Sequence, residues 1–334
     1  MPEGGKQRMK MLVAAVDIGG TNLRCALADV DNPERLIARR SAATPATAGP
    51  DAVVDFILAE VDLCLNEIEL SRESLVSVGC TAPGITDARQ GIVVSAANLQ
   101  GWEQVSLANM LEQRFGVAAA VENDVKAAAL GEFRYGAGRG SRSLVYMTIS
   151  TGVSAGIVIE GKVLRGHNHC AGEIGYFLTE PAHIGKDWGH NGCLELTAAG
   201  IGIAREWAAK HERSSNKAFS AADVFAAARM GNVEAGQIVE RASDYLAQAA
   251  IGLCTITDPE LLVLGGGIAE NEPALRNRIS KVIGETLPFP PKVVETELRG
   301  DAPLVGALIV ALEKIGEDRR LISRLPLADQ QHSS

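Results

Sequence analysis

Residues 11–17 form an apolar run that ends at Asp17, passes through Gly19-Gly20-Thr21-Asn22 and resumes as Leu23-Arg24-Cys25-Ala26-Leu27-Ala28. Apolar, β-prone stretches on both sides of a glycine pair predict a hairpin. No other stretch narrows the fold as much, because the dinucleotide fingerprint and the P-loop both place a helix directly after their glycines. Neither fits here. The tip itself supports two readings: an ordinary tight turn, or a cradle in which the backbone N–H groups of Gly19 and Gly20 and the Thr21 hydroxyl receive phosphate oxygens. A second strand pair, residues 144–149 and 155–160, flanks Ser150-Thr151-Gly152-Val153-Ser154 and echoes the first. Two such units predict two related halves facing each other across a cleft.

Between the hairpins, residues 117–121 are apolar and β-prone, and Lys126-Ala127-Ala128-Ala129-Leu130-Gly131-Glu132-Phe133 is strongly helix-forming. Glu122-Asn123-Asp124 therefore occupies a strand-to-helix corner. An Asn or Asp N-cap explains one of these residues, but not three polar residues together. In α/β sheets ligands gather at the carboxyl ends of strands, which makes Asn123 and Asp124 candidates for chemistry as well as for capping.

Around these features the chain reads as α/β. Helices are expected over residues 52–67, 107–115 (capped by Ser106 and stopped by Gly116), 194–211, 221–230, 232–257, 273–287 and 303–315, with further strands at 75–80, 92–94 and 260–264. Residues 161–192 form a loop-rich stretch containing His167, His169, His183 and His190. A length of 334 residues exceeds a single comfortable core, so two domains are expected. The 35 glycines and 4% aromatics suit many tight strand-to-helix turns. Net charge is 32 − 41 = −9, which argues against nonspecific binding to nucleic acid or anionic membrane and for a small-molecule partner. Too little chain precedes the first strand for a DNA-reading helical domain. Six scattered cysteines without a CxxC pair, and the lack of a signal-like or spanning apolar segment, predict reduced thiols in a cytoplasmic protein.

Read in order, Asp17-Ile18-Gly19-Gly20-Thr21-Asn22, Ala82-Pro83-Gly84, Glu122-Asn123-Asp124, Ser150-Thr151-Gly152-Val153, Ala171-Gly172-Glu173-Ile174-Gly175, Gly192-Cys193-Leu194-Glu195 and Gly265-Gly266-Gly267-Ile268 resemble the motifs of the ROK family of sugar kinases and sugar-responsive repressors. The resemblance implies two actin-like (ribonuclease H-like) α/β domains, residues 11–122 with 303–320 and residues 123–302, around a central cleft. It implies ATP-dependent phosphorylation of a hexose, with glucose the first choice and fructose, allose or N-acetylmannosamine as alternatives. Asp124 would be the general base, and Gly84, Asn98, Asn123, Asp124, Glu173 and Glu195 would line the sugar. Gly19, Gly20, Thr21, Asn22, Thr151, Gly152, Gly266 and Gly267 would receive the nucleotide, and Asp17 would hold Mg²⁺ through water. A homo-oligomer, specifically a dimer, is implied as well.

The chain departs from the family pattern where relatives carry a His and three Cys that bind structural zinc beside the sugar. Those positions hold Tyr176, Lys186, Trp188 and Cys193. Phenol, ammonium and indole do not make the N/S cage that zinc prefers, so structural zinc is expected to be absent, with Trp188 packing into the space. A substitute site from His183, His190 and Cys193 with His167, His169 or Cys170 is the alternative. A noncatalytic sugar-binding regulator is the rival function, disfavoured by the presence of both Asp124 and Thr21.

Overall fold

The computed structural model describes residues 10–187, 192–211 and 219–317. They divide into two compact units, one running to Gly131 and including the segment from Pro303 onward, the other Glu132–Ala302.

In the first unit β1 (Leu12–Ile18), β2 (Asn22–Asp29) and β3 (Asn32–Ala43) form an antiparallel meander. The helix α1 (Gly49–Glu67) crosses to β4 (Leu75–Ala82), which lies parallel to β1. A small antiparallel sheet follows, made of β5 (Ile85–Asp87), β6 (Ile92–Ser95) and β7 (Glu103–Val105). Then α2 (Leu107–Phe115) leads to β8 (Ala118–Asn123), parallel to β4, and the main sheet has the order β3-β2-β1-β4-β8. Every residue of β1 is buried, with Leu12, Ala14 and Val16 packed in a cluster with α1 and α2 and Val13 and Ala15 in a cluster with Leu304, Leu308 and Ala311. A strand covered on both faces needs this continuous apolar run.

The helix α3 (Asp124–Tyr135) carries the chain into the second unit. There β9 (Ser143–Ile149), β10 (Val153–Ile159) and β11 (Lys162–Val163) repeat the meander. After α4 (Leu194–Ala198), α5 (Gly200–His211), α6 (Ala221–Arg229) and α7 (Val233–Thr257), β12 (Leu261–Gly265) pairs parallel with β9. Then α8 (Gly267–Asn271) and α9 (Pro273–Thr286) precede β13 (Lys292–Glu295), parallel to β12, and α10 (Ala302–Glu317) belongs to the first unit. The sheet order β11-β10-β9-β12-β13 reproduces the first strand for strand. Each unit therefore has the actin-like topology, and the faint echo between the two hairpins is a repeat of whole sheets.

The structure departs locally from the sequence reading in three places. The helix expected over residues 194–211 is broken at Ala199, which is extended (ψ 176°). The break lets the N–H groups of Gly200 and Ile201 donate to the carbonyls of Ser150 (2.9 Å) and Thr151 (3.0 Å), so the new helix start bonds to the hairpin tip. Ser106 precedes α2 without a capping bond from its side chain, whereas Gly116 does end that helix in the left-handed region (φ 71°). The edge strands β3 and β13 were not expected, because Pro33, Arg35, Arg39 and Arg40 in the former and the brevity of the latter hide the alternation. Among the described residues no helix is long and apolar enough to cross a membrane, and all six cysteines are free thiols.

Candidate active site

In the first unit the strand register aligns Asp17, Thr81 and Glu122 on neighbouring β1, β4 and β8, near their carboxyl ends. Asp17 is 5% exposed. Its Oδ1 accepts from Thr81 Oγ1 (2.7 Å), and its Oδ2 accepts from Arg24 Nη2 (2.6 Å) and Nε (3.2 Å). Arg24 is the residue directly opposite Asp17 in the hairpin register. Counting across the turn would have found it, since opposite charges on facing strand positions pair. Thr81 could not have been found that way, because it depends on the register of a parallel strand. The tip is closed by Gly19 N–H to the Asn22 carbonyl (3.0 Å) and tied from outside by Thr44 Oγ1 to the Gly19 carbonyl (2.7 Å). Gly20, Thr21 and Asn22 stand exposed, and Asn98 sits beside them, its Cβ 3.3 Å from where a Cβ on Gly20 would lie.

The corner after β8 divides its labour between two residues. Asn123, 3% exposed, is the cap: its Oδ1 accepts from the N–H groups of Val125 (3.1 Å) and Lys126 (3.0 Å). Its Nδ2 donates to the Gly84 carbonyl (2.9 Å) and to Asp124 Oδ1 (2.9 Å). Two lone pairs and two hydrogens are thus all engaged. Asp124, half-buried, begins α3 and also accepts from the Val125 N–H at Oδ1 (2.9 Å). The amide that caps the helix also orients the carboxylate.

In the second unit Ser150 N–H closes its tip on the Gly152 carbonyl (2.9 Å), leaving Thr151 exposed. Glu195, in the first turn of α4, accepts from the Val153 N–H at Oε2 (3.3 Å). Glu173 accepts from Ser154 Oγ (3.5 Å), and its segment is laid on β10 by Ala155 N–H to the Gly172 carbonyl (2.8 Å). Burial, and then the negative charges of Glu173 and Glu195, push the Tyr176 phenol up from its ordinary value, so it stays a protonated donor near both carboxylates. Gly266 lies at φ +89° and ψ 154°, with the Ile149 carbonyl oxygen 2.6 Å from where a Cβ would be; only glycine fits. Beyond it, Gly267 lines a cavity of about 520 Å³ with Phe225, Ile268, Asn271 and the ion pair of Arg229 and Glu272 (2.6 Å). That ion pair carried no motif signal.

The family's zinc does not fit the residues present. Tyr176 and Lys186 are exposed, Cys193 is buried in a bridge to Leu178, and Trp188 and His190 lie outside the described residues. The His183 ring packs against the Gly192 backbone, and among the described residues no three His, Cys, Asp or Glu side chains converge as a metal site.

Paired glycine-bearing hairpin tips on two actin-like sheets, with carboxylates at the strand ends, define a member of the actin/hexokinase-like superfamily. The chain belongs to the ROK family, whose pattern matches residues 13–314. It is 31% identical to the glucokinase of Thermotoga maritima over 322 residues, covering 92% of this chain and 99% of that protein. It is equally 31% identical to the N-acetylmannosamine kinase of Salmonella typhi, covering 90% of this chain and 98% of that one. Among solved structures it is similar to a ROK family glucokinase from Streptomyces griseus in complex with glucose and AMPPNP, with a TM-score of 0.75, 28% identity and coverage of 90% and 99%.

Proposed function

We propose that this chain, a sugar kinase that uses ATP, phosphorylates a hexose, with glucose the first substrate to test. The observation that carries the reading is the corner: a half-buried carboxylate at a strand end, held by a saturated amide. Asp124 takes the proton from the sugar hydroxyl as that oxygen attacks the γ-phosphorus, and ADP leaves. A hydroxyl that reaches Asn123 must displace one of its four bonds, so Asn123 acts mainly by holding Asp124 and the Gly84 carbonyl. Gly84, Asn98, Glu173 and Glu195 supply further acceptors for hydroxyls, and the protonated Tyr176 supplies a donor where relatives carry a His. The tips Gly19-Gly20-Thr21-Asn22 and Thr151-Gly152 receive phosphate oxygens. The cavity beside Gly266 and Gly267 has the size and partly apolar lining for adenosine, with Phe225 and Ile268 as its walls.

Glucokinases and N-acetylmannosamine kinases resemble the chain equally well, so the sugar is decided by assay. ADP release is measured with glucose, N-acetylmannosamine, fructose and allose. Turnover is expected with glucose, and no turnover above background with any of the four would sink the reading. Sugar binding without nucleotide binding in calorimetry would instead revive the noncatalytic regulator.

Asp17 suits a magnesium ion held through water: its oxygens retain acceptor capacity beyond the bonds from Thr81 and Arg24, and it stands at a strand end beside the tip. Bound there, magnesium neutralises charge on the transferring phosphate. Asp17→Asn is expected to raise the magnesium concentration for half-maximal rate by about 10- to 100-fold, as losses of metal-orienting partners do. An unchanged magnesium dependence would contradict that role. Zinc is expected to be substoichiometric in the purified protein by metal analysis. Inactivation by a chelator that zinc alone reverses, with magnesium in excess, would overturn that expectation.

A further inference from the structure

By sequence Thr151-Gly152 is a phosphate tip, yet its surroundings serve a different side chain. The N–H of Val153, next along the tip, donates to Glu195 Oε2 (3.3 Å). A Cβ on Gly152 would collide with that same oxygen and come within 3.3 Å of the Glu195 carboxyl carbon. A Cβ on Gly175 would meet the Val153 carbonyl oxygen first (3.0 Å) and would touch Glu195 Cβ and Oε2 at 3.4 Å, an ordinary contact distance. Neither glycine has a positive φ, so the backbone asks for glycine at neither position. The space asks for it: the missing side chain of Gly152 leaves room for the Glu195 carboxylate, and that of Gly175 leaves room for the carbonyl of Val153, whose N–H holds that carboxylate. The adjacent residue of β10, Ser154, bonds Glu173, so consecutive positions after the tip carry both carboxylates. The first unit repeats the arrangement in outline, with Asn98 against Gly20.

We infer that Gly152 and Gly175 are positioning residues for the sugar, which hold Glu195 where its carboxylate meets sugar hydroxyls. The inference rests on the sugar-kinase reading and deepens it, since Gly152 then acts on the sugar as well as lying on the phosphate tip. The clash falls on the mobile end of a side chain, so Gly152→Ala moves the Glu195 carboxylate and leaves the fold intact.

The test is a calorimetric series with two sugars, glucose and N-acetylmannosamine, and with ADP in magnesium, on the whole chain. Gly152→Ala is expected to weaken binding of the sugar that the wild type takes by about tenfold or more, the loss of one hydrogen bond to a charged group. ADP affinity, measured beside it, reads the separate part of Gly152 that lies on the phosphate tip. Glu195→Asp withdraws the carboxylate by one methylene and weakens the sugar by itself. In the Gly152→Ala background the same change makes room, so the double variant should bind sugar more tightly than the two single losses combined predict. Should Gly152→Ala not fold by circular dichroism, Gly175→Ala presses instead on the carbonyl of Val153 (3.0 Å), the residue whose N–H holds Glu195 Oε2, and should weaken sugar binding while ADP affinity changes far less. Additive single losses, or a Gly152→Ala variant that loses ADP and keeps sugar, overturn this inference alone. A wild type that binds neither sugar nor ADP overturns the functional reading and this inference with it.

Discussion

Asp124→Asn is expected to lower turnover by about 10²- to 10⁴-fold, the usual range for removal of a general base. The substitution is close to isosteric. The amide oxygen can still accept from Asn123 Nδ2 and the Val125 N–H, the two bonds that now hold Oδ1 at 2.9 Å each. The first turn of α3 should therefore persist, and the melting temperature should move little. Sugar affinity should change modestly, because an amide oxygen still accepts from a hydroxyl. The measurement is kcat and KM at saturating ATP, with sugar affinity by calorimetry beside it. Loss confined to kcat marks an interaction made only in the transition state. Near-wild-type turnover would mean that the proton goes elsewhere. Asn123→Ala supplies the contrast: it removes the cap along with the orientation of Asp124. Turnover should fall together with stability, the latter by about 0.5–2 kcal/mol.

The two tips and the corner were legible because each concentrates its signal in consecutive residues. Gly19-Gly20-Thr21, Thr151-Gly152 and Glu122-Asn123-Asp124 announce a change of backbone direction by composition alone, and strand ends are where ligands gather. The actin-like fold was implied by the family resemblance that those motifs help to carry, and the topology bears it out strand for strand. What stayed hidden depends on register and on empty space. Thr81 meets Asp17 only because β4 lies parallel to β1 in one register. The break at Ala199 has only Gly200 and Gly202 as a local signal; the bonds of the Gly200 and Ile201 N–H groups to the Ser150 and Thr151 carbonyls, which accompany it, are tertiary. The room kept for Glu195 is invisible in sequence, since Gly152 looks like a turn residue until the side chain against it is placed.

Glu132 belonged to the helical stretch that sequence assigned no task, and its replacement is expected to have the largest effect on stability. It is fully buried. Its Oε1 accepts from the Leu298 N–H (2.9 Å) and from the Thr296 hydroxyl, and its Oε2 accepts from the N–H groups of Ala137 (2.8 Å) and Glu297 (3.3 Å). One carboxylate thus gathers four donors and ties the end of α3 to the segment after β13, all within the second unit. No water replaces such a set without an opening in the core, and each buried donor left unpaired costs about 1–3 kcal/mol. Glu132→Ala should therefore destabilise the second unit by about 3 kcal/mol or more. At about 2–4 °C per kcal/mol for a unit of this size, the midpoint should drop by roughly 6–12 °C. Glu132→Gln separates acceptor chemistry from packing: it keeps the volume but sets an NH₂ group against two of the donors, so it should destabilise as well. Thermal unfolding followed by circular dichroism reads both variants. A Gln variant that melts with the wild type would mean that the side chain matters for its volume alone, and that α3 is held by its apolar contacts.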